Sequence, residues 1–482
     1  MMNKNGFCFL FKSKKNHKFK RHPFPGGHII NLSLGELYIS TEANFQVSTD
    51  SKHSAYLIGS IYNRNFLVEI ASMWESHAYV FNDSELLITL YSRLGQSALT
   101  LAEGDFNFII EEKNERLHLF SDSQGLSTAY LVESKFTWLT NTLKVVSFAE
   151  GEDALQFACE SLVCQSELRP DNYSPVTNAT RFKPGSYVIL SRDREHYIQS
   201  DINTLNVISN SKELILKKQD AIEIIDKKLN TPLNDLSQKY SSIGIPLSGG
   251  LDSSLITALA SRYFDQIFTY SIGTEFSNEF EFSKIVSDSL NTNHHVHILS
   301  DSEVVEGIVN AIFHNEIFDG LSAEIQSGLF NIYKLSSGKV KSMITGYGSD
   351  LLFGGILNPD EKYNNPNSLL DSQIYRTRWT GEFSTNGAKH FGIEVRHPFW
   401  NQKLITLCKS LAPEFKIKNN EVKNILREYT DSLALLPPEI IWRKKLESMK
   451  VPQLIEYLLT LLVRTSITIS SNHVSHTEFI KH

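Results

Sequence analysis

Cysteine is scarce in this sequence: Cys8, Cys159, Cys164 and Cys408 are the four among 482 residues, and no two form a CxxC pair. A disulfide framework and a cysteine-based zinc site are therefore excluded, and a reduced, cytosolic (cytoplasmic) compartment is expected. A basic excess is missing too. Lysine and arginine total 47 against 54 acidic residues, a formal charge of −7, so nucleic acid is not an expected partner. No apolar run reaches the ~18–20 residues of a membrane span, and no membrane partner is expected. The segment Gly6-Phe7-Cys8-Phe9-Leu10-Phe11 is too short for a signal-peptide core and has its basic residues behind it rather than ahead. It reads as a buried strand, and the basic run Lys12 to Arg21 as a solvated loop. Internal repeats, long low-complexity tracts and a GxxxxGK[ST] loop are all absent, which makes a γ-phosphate kinase or motor ATPase the poorer reading.

What is there is ordinary for a globular chain of two or three domains, with 41% hydrophobic and 21% charged residues. Residues 1–205 read as strands and turns. Ala55 to Tyr62 and Asn107 to Ile110 are strand-like, and Leu117 to Phe120 follows the latter across a polar turn as a hairpin. Ser84 to Leu94 carries leucines at helical spacing, and Arg181 to Leu190 is a turn feeding a late strand. Ser200 to Lys212 reads as a linker. The texture then changes. Ala221–Leu229 and Leu255–Tyr263 are helical, and Ile243–Leu247 and Ile267–Ile272 are short buried strands. Strands alternating with helices imply a doubly wound parallel sheet, whose ligand lies beyond the strand carboxyl ends.

At one such end stands Ser248-Gly249-Gly250-Leu251-Asp252-Ser253-Ser254. Two glycines permit a tight turn that aims amide N–H groups at one point, and the following helix presents its positive end to an anion. Ser248, Ser253 and Ser254 add hydroxyl donors, and Asp252 can hold Mg²⁺ against phosphate oxygens. A glycine-rich turn without a ligand is the bland alternative, and seven matching residues in the right context weigh against it. This loop resembles the pyrophosphate loop of the ATP pyrophosphatase superfamily, which implies cleavage of ATP to AMP and pyrophosphate. A second segment, Thr345-Gly346-Tyr347-Gly348-Ser349-Asp350, resembles the corresponding loop of asparagine-synthetase-like enzymes. The resemblance implies that Asp350 is the other Mg²⁺ carboxylate and that Gly346 belongs to the nucleotide site. It also implies that Ser271 and Gly273 border adenine, Lys423 faces phosphate, and Lys445 stabilises charge on the reacting acyl group.

The N-terminal portion resembles a glutamine amidotransferase of the N-terminal-nucleophile (Ntn) type, through Ala102-Glu103-Gly104-Asp105-Phe106 and Asp122-Ser123-Gln124-Gly125-Leu126. That chemistry needs a terminal cysteine, whereas the sequence opens Met1-Met2-Asn3 and Cys8 falls inside a strand, so glutamine hydrolysis is not expected. The nucleophile should then come with the substrate, as in the β-lactam synthetases of this family. Like them, the chain has tyrosine at 347, and Glu382 stands where they pair it with a glutamate. A phenol takes a proton from an amine only with a carboxylate to support it. A buried tyrosine hydrogen bond beside a surface glutamate is the alternative.

The fold implied is an αββα sandwich of Ntn type over residues 1–205, then an α/β ATP pyrophosphatase unit over 206–446. The segments Leu162–Ser166 and Ile317–Gly328 extend the likeness to carbapenam synthetases in particular. The activity implied is adenylation of a carboxymethylproline side-arm carboxylate followed by lactam closure, with ATP and Mg²⁺ as cofactors and a small amino acid as partner. Another AMP-forming amide ligase, an asparagine synthetase included, and a non-enzymatic nucleotide binder stay open. So does a homo-oligomer. Glu316, Asp319 and Ser349 are pocket candidates by position. Residues 447–482 depart from the family pattern and are expected to be a frameshifted tail, or else to contain a short helix over Leu454–Val463.

Overall fold

The computed structural model describes residues 4–11, 19–112, 116–157, 174, 176–191, 197–201, 217–318, 320–358, 361, 363 and 365–443. In the N-terminal half the order is β1 (Phe7–Phe11), β2 (His28–Asn31), β3 (Gly35–Ile39), β4 (Phe45–Thr49), β5 (His53–Ile61), α1 (Arg64–Ala71) and α2 (Asp83–Leu94). Then come β6 (Gly104–Glu112), β7 (Arg116–Ser121), β8 (Tyr130–Glu133), β9 (Thr137–Thr140), α3 (Lys144–Glu150), β10 (Ala179–Arg181), β11 (Ser186–Ser191) and β12 (Tyr197–Asp201). The strands form two antiparallel sheets, ordered β10-β8-β9-β1-β3-β2 and β12-β11-β7-β6-β5-β4.

Strand alternation builds the layers. Phe7, Phe9 and Phe11 of β1 enter a core between the sheets, shared with Tyr56, Ile58, Ile109 and Leu119 of the opposite sheet. Cys8, on the other face of β1, packs beneath Val145 and Val146 of α3, while Leu57, Phe106 and Phe108 face α1 and α2. The result is the expected αββα sandwich. The helix expected over Ser84–Leu94 is α2, started by a capping box between Asn82 and Glu85.

The C-terminal half runs α4 (Lys218–Ser237), β13 (Ser242–Pro246), α5 (Leu251–Ala260), β14 (Gln266–Gly273), α6 (Phe280–Leu290), β15 (Asn293–Ile298), α7 (Asp301–Asn315) and α8 (Gly320–Ser336). It continues through β16 (Ser342–Ile344), α9 (Ser349–Phe353), α10 (Pro366–Thr380), α11 (Asn386–His390), β17 (Glu394–Arg396) and α12 (Gln402–Ser410). The small hairpin β18 (Ile417–Lys418) and β19 (Glu421–Val422) leads into α13 (Asn424–Ser432) and α14 (Pro438–Ile441). The sheet is parallel, ordered β15-β14-β13-β16-β17. Leu255 and Leu259 of α5 pack on one face with α4 and α12, and Leu329 and Tyr333 of α8 on the other with Tyr270 and Met343. This is the doubly wound arrangement. From β13 the chain first adds strands on one side and later, with β16, on the other, so the switch point lies between β13 and β16.

Three readings shift. Ser200 and Asp201, read as linker, pair with Tyr187 and Ser186 in the ladder of β11 and β12. Helix α4 runs through Pro232 to Ser237 because Leu229, Leu233 and Leu236 are all buried, and packing outweighs the missing N–H. Helix α5 starts at Leu251 rather than Leu255, which puts Asp252, Ser253 and Ser254 in its first turn. Leu162–Ser166, Asp319, Lys445 and the tail 447–482 lie outside the described residues.

Candidate active site at the sheet switch point

The two loops singled out in the sequence leave neighbouring strands, β13 and β16, at their carboxyl ends. Apolar Ile243 and Ile245 bury β13, and the chain then turns through Gly249 at φ +76°. A Cβ there would sit 2.5 Å from the Ser283 backbone nitrogen, so the turn needs glycine for space as well as for its backbone angle. Hydroxyls brace the loop from within. Ser248 Oγ accepts from the Gly250 amide at 3.2 Å, and Ser253 Oγ accepts from the Ser248 amide at 3.2 Å. Ser271 Oγ donates to the Leu247 carbonyl at 2.5 Å, tying the tip of β14 to the loop. The second loop crosses close by: a Cβ on Gly346 would lie 2.6 Å from the Ser253 amide nitrogen.

A cavity of about 280 Å³ opens over these ends. Of the residues singled out, Ser248, Gly250, Asp252, Ser271, Asp350 and Lys423 line it. Gly249, Ser253, Ser254, Gly273 and Gly346 do not; they shape its walls from behind, and Ser254 is wholly buried. A larger cavity of about 540 Å³ lies between the two halves of the chain, against Tyr62, Glu103, Lys228 and Lys403, and touches none of these loop residues.

Lys423 sits at the head of α13 with φ +60°, a costly conformation for a residue with a Cβ. The sequence reading sets its ammonium against phosphate. The structure puts it between the two acids, with Nζ 2.5 Å from Asp252 Oδ2, 2.7 Å from Asp350 Oδ1 and 3.3 Å from Ser349 Oγ. Burial works against this charge, but the facing carboxylates outweigh it and hold the amine above its ordinary range. Asp252 Oδ1 is buried and has no hydrogen-bond partner among the described residues. Two converging carboxylates, one with an orphaned oxygen, fit a divalent cation that takes its remaining oxygens from a polyphosphate. No group of three or more metal-ligating side chains occurs among the described residues.

Beside this lies Tyr347. Its hydroxyl donates to Glu382 Oε1, while Ser322 Oγ donates to Glu382 Oε2 at 3.2 Å. Glu382 is 8% exposed and so is not the surface glutamate of the alternative reading. Burial first, then the charges of Glu382 and Asp350, raise the phenol well above its ordinary value. The Asp350 contribution puts the Tyr–Glu pair within electrostatic reach of the carboxylates. The Phe383 ring packs 4.8 Å from that of Tyr347.

Two arginines, Arg427 and Arg443, also line the cavity, and the sequence reading passed over both although they stand close in the chain to Lys423 and Lys445. Arg427 ties the segment around α14 to the head of α13 by donating to the carbonyls of Val422, Ile441 and Arg443. Arg443 pairs with Glu279 and lies over the Phe282 ring, 3.5 Å from its centroid. Glu316 is not a pocket residue. Its carboxylate accepts from Thr142 Oγ1 at 2.8 Å and from the amides of Leu143 and Lys144 at 2.9 and 3.1 Å, capping α3 of the sandwich. Ser349 is buried against Lys423.

Comparison with known proteins places the chain among related sequences. The family described as carbapenam-3-carboxylate synthase, N-terminal, matches residues 7–205, and the family described as asparagine synthase matches residues 234–387 and 385–482. The glutamine-hydrolysing asparagine synthetase of Rattus norvegicus is 26% identical over 409 residues, 80% of this chain and 70% of that protein. The same enzyme from Homo sapiens is 25% identical over 409 residues, with the same coverage of 80% and 70%. A carboxyethyl-arginine β-lactam synthase from Streptomyces clavuligerus is 24% identical over 404 residues, 83% of this chain and 74% of that protein. An αββα sandwich joined to a doubly wound sheet, in a chain matched by the asparagine synthase family and by these relatives, defines a class of ATP-dependent, amide-forming ligases. The chain belongs to the asparagine synthase family, with an N-terminal half of the carbapenam-3-carboxylate synthase type.

Proposed function

We propose that this enzyme closes a β-lactam ring, adenylating the side-arm carboxylate of a carboxymethylproline and releasing pyrophosphate, then AMP and carbapenam-3-carboxylate, in carbapenem antibiotic biosynthesis. The observation that carries the reading is the partly buried hydrogen bond from Tyr347 to Glu382 beside the Asp252–Asp350 pair. The state of Cys8 supports it. That thiol is fully buried in a strand paired on both sides, and burial pushes its pKa well up, so it is no nucleophile for glutamine.

Asp252 and Asp350 would hold Mg²⁺, which supplies charge neutralisation along the triphosphate. The amides of the Ser248–Gly250 turn orient the phosphates, and the substrate carboxylate attacks the α-phosphorus with pyrophosphate leaving. Closure follows when the ring nitrogen attacks the acyl carbon, forming the C–N bond as the C–O bond to AMP breaks. The proton leaves nitrogen for the Tyr347 oxygen while the phenolic proton passes to Glu382. A phenol held this far above its ordinary range is a poor base alone, and the carboxylate makes the transfer feasible. Lys445 is assigned to the acyl-group charge by resemblance. No helix among the described residues is long and apolar enough to cross a membrane, and a cytoplasmic site of action accords with the sparse cysteines.

The test is incubation with ATP, Mg²⁺ and carboxymethylproline, followed by mass spectrometry of the products. Carbapenam-3-carboxylate with AMP and pyrophosphate is expected. Turnover with aspartate and ammonium but not carboxymethylproline would make it an asparagine synthetase. Nucleotide binding without turnover would make it a non-enzymatic relative.

A further inference from the structure

We propose that the N-terminal sandwich serves ring closure by clamping the segment that carries Glu382, with Arg378 and Asp105 as positioning residues. The inference rests on the Tyr347–Glu382 reading above.

Glu382 stands just beyond the end of α10, after a left-handed turn at Gly381 with φ +79°. Within its own half, Ser322 Oγ donates to the Glu382 carboxylate, Gln326 Nε2 donates to its carbonyl and Thr380 Oγ1 accepts from its amide. Because a proton relay loses efficiency steeply with misplacement, the segment that carries these contacts must itself be held. Contacts from the other half of the molecule lie on both sides of it. On the near side, Arg378 is 3% exposed, and it donates from Nε to the Ser123 carbonyl at 2.8 Å and from Nη2 to the Pro184 carbonyl at 2.9 Å. Arg181 of β10 donates to the carbonyl of Trp379. On the far side, Asp105 of β6 accepts from Thr385 Oγ1 and pairs with Lys389. Beneath, Phe383 stacks on Trp400 at 4.1 Å with ring planes 3° apart, and Trp400 Nε1 donates to the Gln124 carbonyl at 2.9 Å. The approach is close enough that a Cβ on Gly125 would lie 2.3 Å from the Arg378 carbonyl oxygen.

Asp105, Ser123, Gln124 and Gly125 among these anchors belong to the two N-terminal segments that resemble a glutaminase, 102–106 and 122–126, while Arg181 and Pro184 come from β10 and the turn after it, in a sandwich whose Cys8 is sealed in a strand. Asp105 is buried, and a buried carboxylate without partners is costly, so its pairing with Thr385 and Lys389 holds that segment firmly. The sandwich thus takes part in catalysis through Glu382 rather than through chemistry of its own.

The test uses the full chain with Arg378→Lys, which cannot reach both carbonyls in the fork geometry of arginine, and separately Asp105→Asn. Adenylation is read as exchange of labelled pyrophosphate into ATP with carboxymethylproline present, and closure as single-turnover lactam formation between about pH 6 and 9. Exchange is expected within about twofold of the unaltered chain, with closure slowed between about tenfold and a hundredfold and its rising pH limb displaced. Adding either change to Glu382→Gln should cost nothing beyond Glu382→Gln alone. Exchange and closure falling together, losses that multiply, or closure at the unaltered rate in both variants would each overturn the proposal. If Glu382→Gln itself closes the ring normally, the dyad reading fails and this inference with it. If Glu382→Gln is slow while Arg378→Lys and Asp105→Asn are not, only the clamp fails. Should Arg378→Lys not fold, Asp105→Asn decides alone.

Discussion

Tyr347 and Lys423 each hold a proton that their surroundings make harder to remove, for opposite reasons: burial beside Glu382 disfavours a phenolate, while two carboxylates favour an ammonium. Removing the first hydroxyl should separate the two chemical steps. Tyr347→Phe is expected to keep pyrophosphate exchange and to slow lactam closure by about 10²–10⁴-fold, read by single-turnover product formation. Removing the second charge should be felt before any chemistry. Lys423→Met leaves Asp252 and Asp350 facing each other without a cation, and should lower the unfolding free energy by about 2 kcal/mol, with partial recovery on adding Mg²⁺. Denaturant titration with and without the metal checks this.

At the scale of elements, what matters is how closely two loops approach at the switch point. The Cβ of a residue at 346 would press on the backbone of Asp252 and Ser253, which cannot give way as a flexible side chain can. Gly346→Ala should therefore cost about 1–3 kcal/mol of stability and abolish pyrophosphate exchange, since the loop that yields is the one proposed to orient phosphate. Thermal unfolding and the exchange assay test both halves of that statement. The turn at Ser248–Ser254 between β13 and α5 was legible in the sequence because paired glycines between an apolar run and a helical pattern mark a tight strand–helix junction. The start of α5 was not. Its first turn holds a single apolar residue, Leu251, followed by three polar ones, so the continuous apolar pattern begins only at Leu255 although the helix begins at Leu251. The run of α4 through Pro232 was hidden for a related reason, as buried leucines on either side decide it.

At the scale of the whole molecule, the layers and the sheet class followed from alternation and from the strand–helix rhythm, whereas the joint between the halves did not. Nothing around Glu316 in the sequence distinguishes a pocket acid from one that reaches across to cap α3, because the partner amides are those of Leu143 and Lys144, far away in the chain. Arg378 and Asp105 were unreadable for the same reason. The packing of the C-terminal half also sets a pH response. His397 is buried with Nδ1 2.7 Å from Thr345 Oγ1, and burial lowers its pKa from 6.5 to about 3. Between those values the unfolded chain binds a proton that the folded chain refuses, so stability rises with pH from about 3 to about 6.5 and is fully present above. His397→Gln should flatten that slope, measured as the urea midpoint against pH, with the residual slope left to other histidines such as the half-buried His314, also lowered to about 3.

The sealed sulfur at residue 8 has a pharmacological corollary. Electrophiles shaped like glutamine silence amidotransferases by alkylating an exposed thiolate, and here that atom lies wholly inside, beneath a helix layer, with its ionisation suppressed. Such warheads should leave the native enzyme turning over undiminished, and peptide mapping should find Cys8 tagged only after the chain has been denatured.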